Sequence, residues 1–236
     1  MRGLFFYIIV LLSVTVKAQT NDLVVGKSKD SIVPDPHYRE DQFYASLTYD
    51  LMYKAPKGYL QYSVPVGITV GFLRDFPVNK ARNKAIAIGL GYSYSNTKHN
   101  FVVQETVGKP DYSIISKSEF DKNKMVLHYL EMPLELRWRT SDSISHQFWR
   151  IYTGVKLSYL VSGKTQYYPS GAADVKITND PNMNKLMGGV YIAAGYNTWN
   201  FYAYYGFTPL YDNAYMDTGT KINMHPIKLG LMFYIL

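Results

Sequence analysis

The chain has 236 residues, a formal net charge of +7 and no cysteine. The lack of cysteine excludes a disulfide framework and a thiolate metal site, while the length is typical of a single all-β domain. No run of five or more basic residues occurs, so nucleic acid is not a predicted partner. The 23 tyrosines and 11 phenylalanines give the aromatic content expected at membrane interfaces and in barrel walls.

Residues 1–18 are predicted to be a secretory signal peptide. Arg2 supplies the positive start, residues 4–16 form an apolar stretch, and Val16-Lys17-Ala18 presents small residues at the two positions that a signal peptidase inspects. About 13 apolar residues are too few to cross roughly 30 Å as a helix. We therefore expect an exported protein, whose residence in a membrane would have to come from β-strands.

Residues 19–41 are polar and show no core-building pattern. Two interpretations stay open, namely a flexible periplasmic tail and a segment that becomes ordered on a partner. The candidate partner-binding residues of this tail are Pro34, Asp35, Pro36, His37 and Tyr38.

Eight segments then alternate apolar and polar residues with a period of two, which indicates β-strands. They are predicted at residues 43–54, 59–74, 84–95, 125–139, 149–161, 186–196, 199–209 and 225–236. Several of these are long enough to cross a membrane when tilted, whereas ordinary strands average five or six residues. The less apolar face is rich in Gly, Ala and Ser, as the third segment shows most clearly. Small residues suit a narrow lumen better than a surface in water.

The fourth and fifth segments carry most of the charged residues that the pattern places on a lumen face. We predict a structural network of ion pairs there, because charge in a dry interior must be paired. Paired carboxylates can also serve acid–base catalysis, but these lie among arginines, which favours the structural interpretation. The predicted network consists of Glu131, Glu135, Arg137, Arg139, Arg150 and Lys156.

The same two segments carry a family resemblance. Residues 129–135 read Tyr-Leu-Glu-Met-Pro-Leu-Glu, residues 137–141 read Arg-Trp-Arg-Thr-Ser, and residues 148–150 read Phe-Trp-Arg. This combination resembles the PorT/SprT family, outer-membrane barrel proteins of the type IX secretion and gliding machinery. The resemblance implies an outer-membrane barrel needed for assembly or operation of that machinery, with other secretion proteins as partners.

Alternation alone fits two folds, since a soluble lipocalin-like barrel has its apolar face inside and a membrane barrel has it outside. Strand length, the small residues and the link lengths favour an all-β, eight-stranded antiparallel up-and-down transmembrane barrel over residues 42–236, integral to the outer membrane and in contact with its lipid. We expect both termini in the periplasm, with short periplasmic links. The long links, residues 96–124, 162–185 and 210–224, would then face outward.

An enzyme is the remaining alternative. An outer-membrane lipase or acyltransferase would need a serine and a histidine close together on the lipid-facing wall. His128 lies on that face, but its same-strand neighbours Val126 and Leu130 offer no nucleophile, so we predict a packing role. The histidines lack metal-ligand spacing, and we predict no catalytic residue, cofactor, metal or small-molecule substrate. Adhesion or surface recognition through the outer links is the second functional hypothesis, and lipid modification is the third.

Overall fold

A computed structural model describes residues 41–106, 108–140 and 149–235. The predicted signal peptide and the candidate tail residues 34–38 lie outside the described residues. The eight long strands are β1 (Gln42–Tyr53), β2 (Val66–Pro77), β3 (Lys84–Lys98), β6 (Phe120–Arg139), β7 (Trp149–Pro169), β9 (Leu186–Tyr196), β10 (Trp199–Gly206) and β11 (His225–Ile235). Three short strands, β4 (Phe101–Thr106), β5 (Lys109–Ile114) and β8 (Val175–Thr178), lie between them.

The long strands form a closed barrel. Their order is β1, β2, β3, β6, β7, β9, β10 and β11, and β11 pairs with β1 to complete the ring. Every neighbouring pair is antiparallel. The predicted eight-stranded up-and-down barrel is therefore confirmed, and closure leaves no open edge in the ring.

The wall of the barrel is apolar on the outside, as predicted. Along β6, Glu131, Glu135 and Arg137 are buried while Leu134 and its outward neighbours are exposed. The exposed tryptophans Trp138, Trp149 and Trp199 lie at one end of the barrel, and the exposed tyrosines Tyr49, Tyr53, Tyr159 and Tyr205 lie toward the other. Two girdles of aromatic side chains therefore flank an apolar belt, which is the arrangement of transmembrane barrels. No helix in the described residues is long and apolar enough to span a membrane.

Short and long links alternate along the chain. The tryptophan end carries residues 78–83, 140–148 and 197–198, and the last of these is a two-residue turn with Asn197 at φ 54°. The tyrosine end carries residues 54–65, 99–119, 170–185 and 207–224. Every link at the tyrosine end is longer than the links at the tryptophan end.

Three strand boundaries differ from those predicted by five residues or more. β2 begins at Val66 and not at residue 59, since Pro65 has no N–H for the ladder. The preceding residues bind the end of β3 instead, where Tyr62 N donates to Lys98 O at 3.0 Å. β6 starts five residues earlier than predicted, at Phe120, and β7 continues to Pro169 beyond the predicted end at Val161.

These extensions belong to a folded region at the tyrosine end, which we call the cap and define as residues 54–65, 99–127, 162–185 and 207–224. It contains the β4–β5 hairpin and β8, which pairs with the outer part of β7. Alternation predicts the barrel strands but not these elements, because β4, β5 and β8 are only four to six residues long.

Candidate functional site

All six charged residues of the predicted network lie in the lumen, and one cluster lies near the tryptophan end. The guanidinium of Arg139 donates from both Nη atoms to the two carboxylate oxygens of Asp75, at 3.0 Å each. Arg137 donates through Nη1 to Asp75 at 2.9 Å and through Nε to Glu135 at 2.8 Å. Tyr234 donates its hydroxyl proton to Glu135 at 3.1 Å. The cluster is buried, so each charge depends on these partners.

A second cluster lies in the lumen nearer the tyrosine end. Lys156 Nζ lies 2.7 Å from Glu131 Oε2 and donates to the hydroxyl of Tyr202 at 3.0 Å. Asp50 accepts a hydrogen bond from Ser95 at 2.6 Å and lies 3.9 Å from the ammonium of Lys228. The first cluster therefore joins β11 to β6 on the opposite side of the barrel, while the second joins strands that are neighbours or two apart in the ring.

The predicted network omits Asp50, Asp75 and Lys228. A signal for two of them was present, because alternation puts Asp50 and Lys228 on lumen faces. The pairing itself depends on which strands are neighbours, and Asp50 lies directly opposite Lys228 across the β1–β11 closure. Asp75 lies beyond the predicted end of its strand and was missed for that reason.

The remaining lumen space is filled by tyrosine rings. The buried rings are Tyr44, Tyr152, Tyr191, Tyr202, Tyr204 and Tyr234. Gly91 makes room for one of them, since a Cβ at that position would overlap the hydroxyl of Tyr44. The cavity between Asp50, Glu131, Lys156 and Lys228 measures about 30 Å³, space for roughly two water molecules. A lumen filled in this way has no room for a folded or extended polypeptide.

The lumen carboxylates are poorly placed for catalysis. Each of Asp50, Asp75, Glu131 and Glu135 forms an ion pair with a lysine or arginine of the lumen, which holds the carboxylate in place. No group of three metal-ligating side chains occurs within the described ranges. The geometry fits a structural network that fixes the barrel.

His128 lies on the outer wall, close to the girdle of exposed tyrosines. Its Nδ1 forms a hydrogen bond with the hydroxyl of Tyr92, and its ring centre lies 5.3 Å from that of Tyr94. The structure also places Ser162 directly opposite His128 on β7, a neighbour that the same-strand argument missed. No hydrogen bond joins Ser162 to His128 in the described part of the chain, so the arrangement lacks the contact that activates a serine nucleophile.

The cap has an apolar core of its own. Phe101 stacks on Tyr112 with ring centres 5.8 Å apart, and Tyr211 contacts both rings edge-on or tilted. Around them lie buried methionines and aliphatic residues, namely Met125, Met183, Met187, Met216, Met224, Val103, Leu127, Leu160, Leu210 and Ile222. This core closes the barrel at the tyrosine end.

Hydrogen bonds tie the links of the cap together. The Tyr112 hydroxyl donates to Asp180 at 2.8 Å and accepts from the side-chain amide of Asn182 at 2.9 Å. Asn100 bridges two segments, donating to Gly58 O at 2.8 Å and accepting from Leu60 N at 2.7 Å. The cap is therefore one packed unit assembled from all four links.

Burial changes the protonation of two cap residues. It lowers the pKa of His99 to about 4, since the enclosed ring loses the hydration that its charged form needs. It raises the pKa of Tyr211 well above its ordinary range for the same reason. Both side chains are neutral near pH 7 and belong to the cap core.

Comparison with protein families decides the class of this barrel. A family model described as outer membrane protein beta-barrel domain matches residues 18–212. The chain belongs to this family. With the apolar belt and the aromatic rings, membership makes the protein an integral barrel of the outer membrane.

The chain is also similar to two solved structures. Both are Ail, the attachment invasion locus protein of Yersinia pestis, and one holds the heparin analogue sucrose octasulfate. That complex is 14% identical to this chain with a TM-score of 0.37, covering 83% of this chain and 97% of Ail. The other structure is 11% identical with a TM-score of 0.37, covering 82% and 96%. No curated protein matches the chain.

Proposed function

We propose that this barrel is a non-catalytic component required for assembly or operation of the type IX protein secretion system, and for gliding motility where that occurs. The resemblance of residues 129–135, 137–141 and 148–150 to PorT/SprT proteins carries the assignment to this machinery. These residues lie largely on β6 and β7, the two longest strands, where they build the lumen network.

The filled lumen determines how such a component acts. Cargo has no route through an interior occupied by tyrosine rings and paired charges. The protein therefore works through surfaces that partner proteins contact. These surfaces are the cap and the tail of residues 19–41, with Pro34, Asp35, Pro36, His37 and Tyr38 as the candidate contact residues.

The proposed orientation follows from link length. Bacterial outer-membrane barrels have short turns on the periplasmic side and longer loops outside. This rule places the termini and the tryptophan end in the periplasm and the cap outside the cell. The tail then faces periplasmic secretion proteins, while the cap faces the medium.

Surface recognition or adhesion is the second candidate function. The observation that favours it is the packed core of the cap, which holds the exposed faces of all four long links in a fixed arrangement. A fixed surface loses little conformational entropy on binding.

Deletion of the gene, with secretion and gliding as readouts, tests the first function. We expect both to fail and to be restored by the wild-type chain. A complementing variant that lacks residues 22–35 leaves every described strand intact, so its barrel should keep heat-resistant migration on a gel while secretion is impaired. Normal secretion in the deletion strain, together with lost attachment to surfaces, would reject the first function and favour the second.

The matching cap variant should change only the surface. Removing residues 109–122 would delete Tyr112 and the start of β6, which would unfold the cap. A loss of secretion could then come from misfolding and not from the loss of a contact surface. Replacement of the exposed Tyr215 and Lys221 by alanine keeps the cap core. Secretion that survives loss of the tail and fails in this variant would make the cap the working surface.

A further inference from the structure

A group of lysines covers one side of the outer wall, where the cap meets the barrel. The group consists of Lys98, Lys122, Lys124, Lys164 and Lys176 and is called the lysine face below. We propose that the lysine face binds the phosphate groups of anionic lipid headgroups in the adjoining leaflet. This inference is independent of any role in secretion.

Strand register brings these lysines together. Lys98 pairs with Lys124, Lys124 pairs with Gln166, and Gln166 pairs with Lys176, so one row crosses β3, β6, β7 and β8. Neighbouring strands lie about 4.8 Å apart, which makes this row roughly 14 Å wide. That width is comparable with one or two lipid headgroups.

Two further lysines flank the row. Lys164 pairs with Val126 in the row nearer the belt, and Lys122 pairs with Tyr168 on the other side. The Tyr168 ring lies between two ammonium groups, 5.7 Å from Lys122 Nζ and 5.9 Å from Lys176 Nζ. In strand register, the lysines thus lie around Gln166 and Tyr168.

The positive charge of this face is largely uncompensated. Like charges opposite each other in a sheet are destabilising, and Lys98 and Lys124 are such a pair. Within the described residues, the only salt bridge made by the group joins Lys176 to Asp174 at 3.8 Å, and both side chains are half exposed. Asp121 lies nearby and accepts a hydrogen bond from Ser170. A bound anion would relieve this repulsion.

Position identifies the source of the anion as lipid. The row below the lysine face holds Tyr94 and His128, and the exposed Leu130 and Tyr159 of the apolar belt follow directly on the same wall. The lysines therefore project sideways at the level where headgroups lie, and not from the top of the cap. Basic residues beside a membrane attract anionic lipids, and long lysine stems reach the interface easily.

The test measures which lipids stay bound to the folded barrel. The full chain is folded in micelles with equal amounts of phosphatidylglycerol and phosphatidylcholine, and the retained lipids are counted by native mass spectrometry. The wall variant carries Lys98→Gln, Lys124→Gln and Lys164→Gln. The control variant carries Lys57→Gln, Lys109→Gln and Lys221→Gln, which removes the same charge from exposed cap positions that are not part of the lysine face. Heat-resistant migration shows that each variant is folded.

We expect the wild type and the control variant to retain phosphatidylglycerol preferentially, and the wall variant to lose that preference by about tenfold or more. Equal retention of both lipids by the wild type would overturn the proposal, as would equal losses in the two variants. A competition experiment with soluble glycerol phosphate distinguishes lipid from free phosphate. If glycerol phosphate displaces phosphatidylglycerol at matched concentration, the face binds free phosphate and the lipid assignment is wrong.

Discussion

The lumen and the cap have interiors of opposite polarity. The barrel interior holds arginines, lysines and carboxylates in direct contact with tyrosine rings, while the cap interior holds methionines, aliphatic residues and stacked aromatics. The barrel exposes its apolar side chains to lipid, so its own interior must be stabilised by paired polar groups. The cap extends beyond the belt and buries its apolar surface as soluble proteins do. One chain therefore contains two cores whose stabilities respond to different changes.

The largest effect is expected from the lumen. Asp75→Ala removes the carboxylate that Arg137 and Arg139 share, which leaves buried positive charge without that partner. Breaking a buried ion pair from one side costs about 3 to 5 kcal/mol. The measurement is urea unfolding of the barrel in lipid vesicles. Asp174→Asn breaks the half-exposed pair with Lys176 and should change the unfolding free energy by less than about 1 kcal/mol. Equal effects would show that the lumen network does not stabilise the barrel.

A charge on the belt comes next. Leu134 is 44% exposed on the outer wall, and Leu134→Arg should lower the free energy of unfolding in lipid by about 2 to 4 kcal/mol if it lies at the midplane. Tyr215 is 53% exposed on the cap, and Tyr215→Arg should stay within about 0.5 kcal/mol. Glu135 is unsuitable as a neutral control because Arg137 and Tyr234 both donate to it. If Tyr215→Arg costs as much as Leu134→Arg, the distinction between belt and cap is wrong.

Acidification should weaken the cap selectively. His99 has a pKa of about 4 when folded and an ordinary value near 6.5 when unfolded, so its contribution is complete above pH 6.5. Between about pH 6.5 and 4 the unfolded state binds a proton at His99 that the folded cap does not bind. The free energy of unfolding of the cap therefore falls by up to about 3 kcal/mol. Hydrogen-exchange protection factors of cap amides, such as that of Ile222, should fall over this range. His99→Gln should abolish the pH dependence, and its persistence in that variant would contradict this assignment.

The smallest effect is expected at the outer-wall serine. Ser162→Ala removes the hydroxyl directly opposite His128 on β7, yet the histidine bonds to Tyr92 instead. We expect an unfolding free energy within about 0.5 kcal/mol of wild type. Phospholipid hydrolysis by the purified barrel, abolished by Ser162→Ala, would show instead that the lipid-modifying hypothesis is correct.

The barrel was predictable because its signal is local. Residues two apart on β6, such as Leu134 and Leu136, report the outward face without any knowledge of neighbours. The lumen pairs were only half predictable, since alternation turns Asp50 inward but the register with Lys228 belongs to the β1–β11 closure. The cap was not predictable in this way, because Phe101 and Tyr112 of one link meet Tyr211 of another and no period marks them.

Labelling of single cysteines on intact cells tests the contrast between cap and barrel most directly. The chain has no cysteine, so each introduced thiol reports one position. Tyr215→Cys lies on the cap surface and Lys80→Cys lies in a short link at the tryptophan end. A membrane-impermeant maleimide should label Tyr215→Cys on intact cells and Lys80→Cys only after the outer membrane is opened. Labelling of Lys80→Cys on intact cells, with Tyr215→Cys protected, would show that the cap faces the periplasm and that the proposed orientation is inverted.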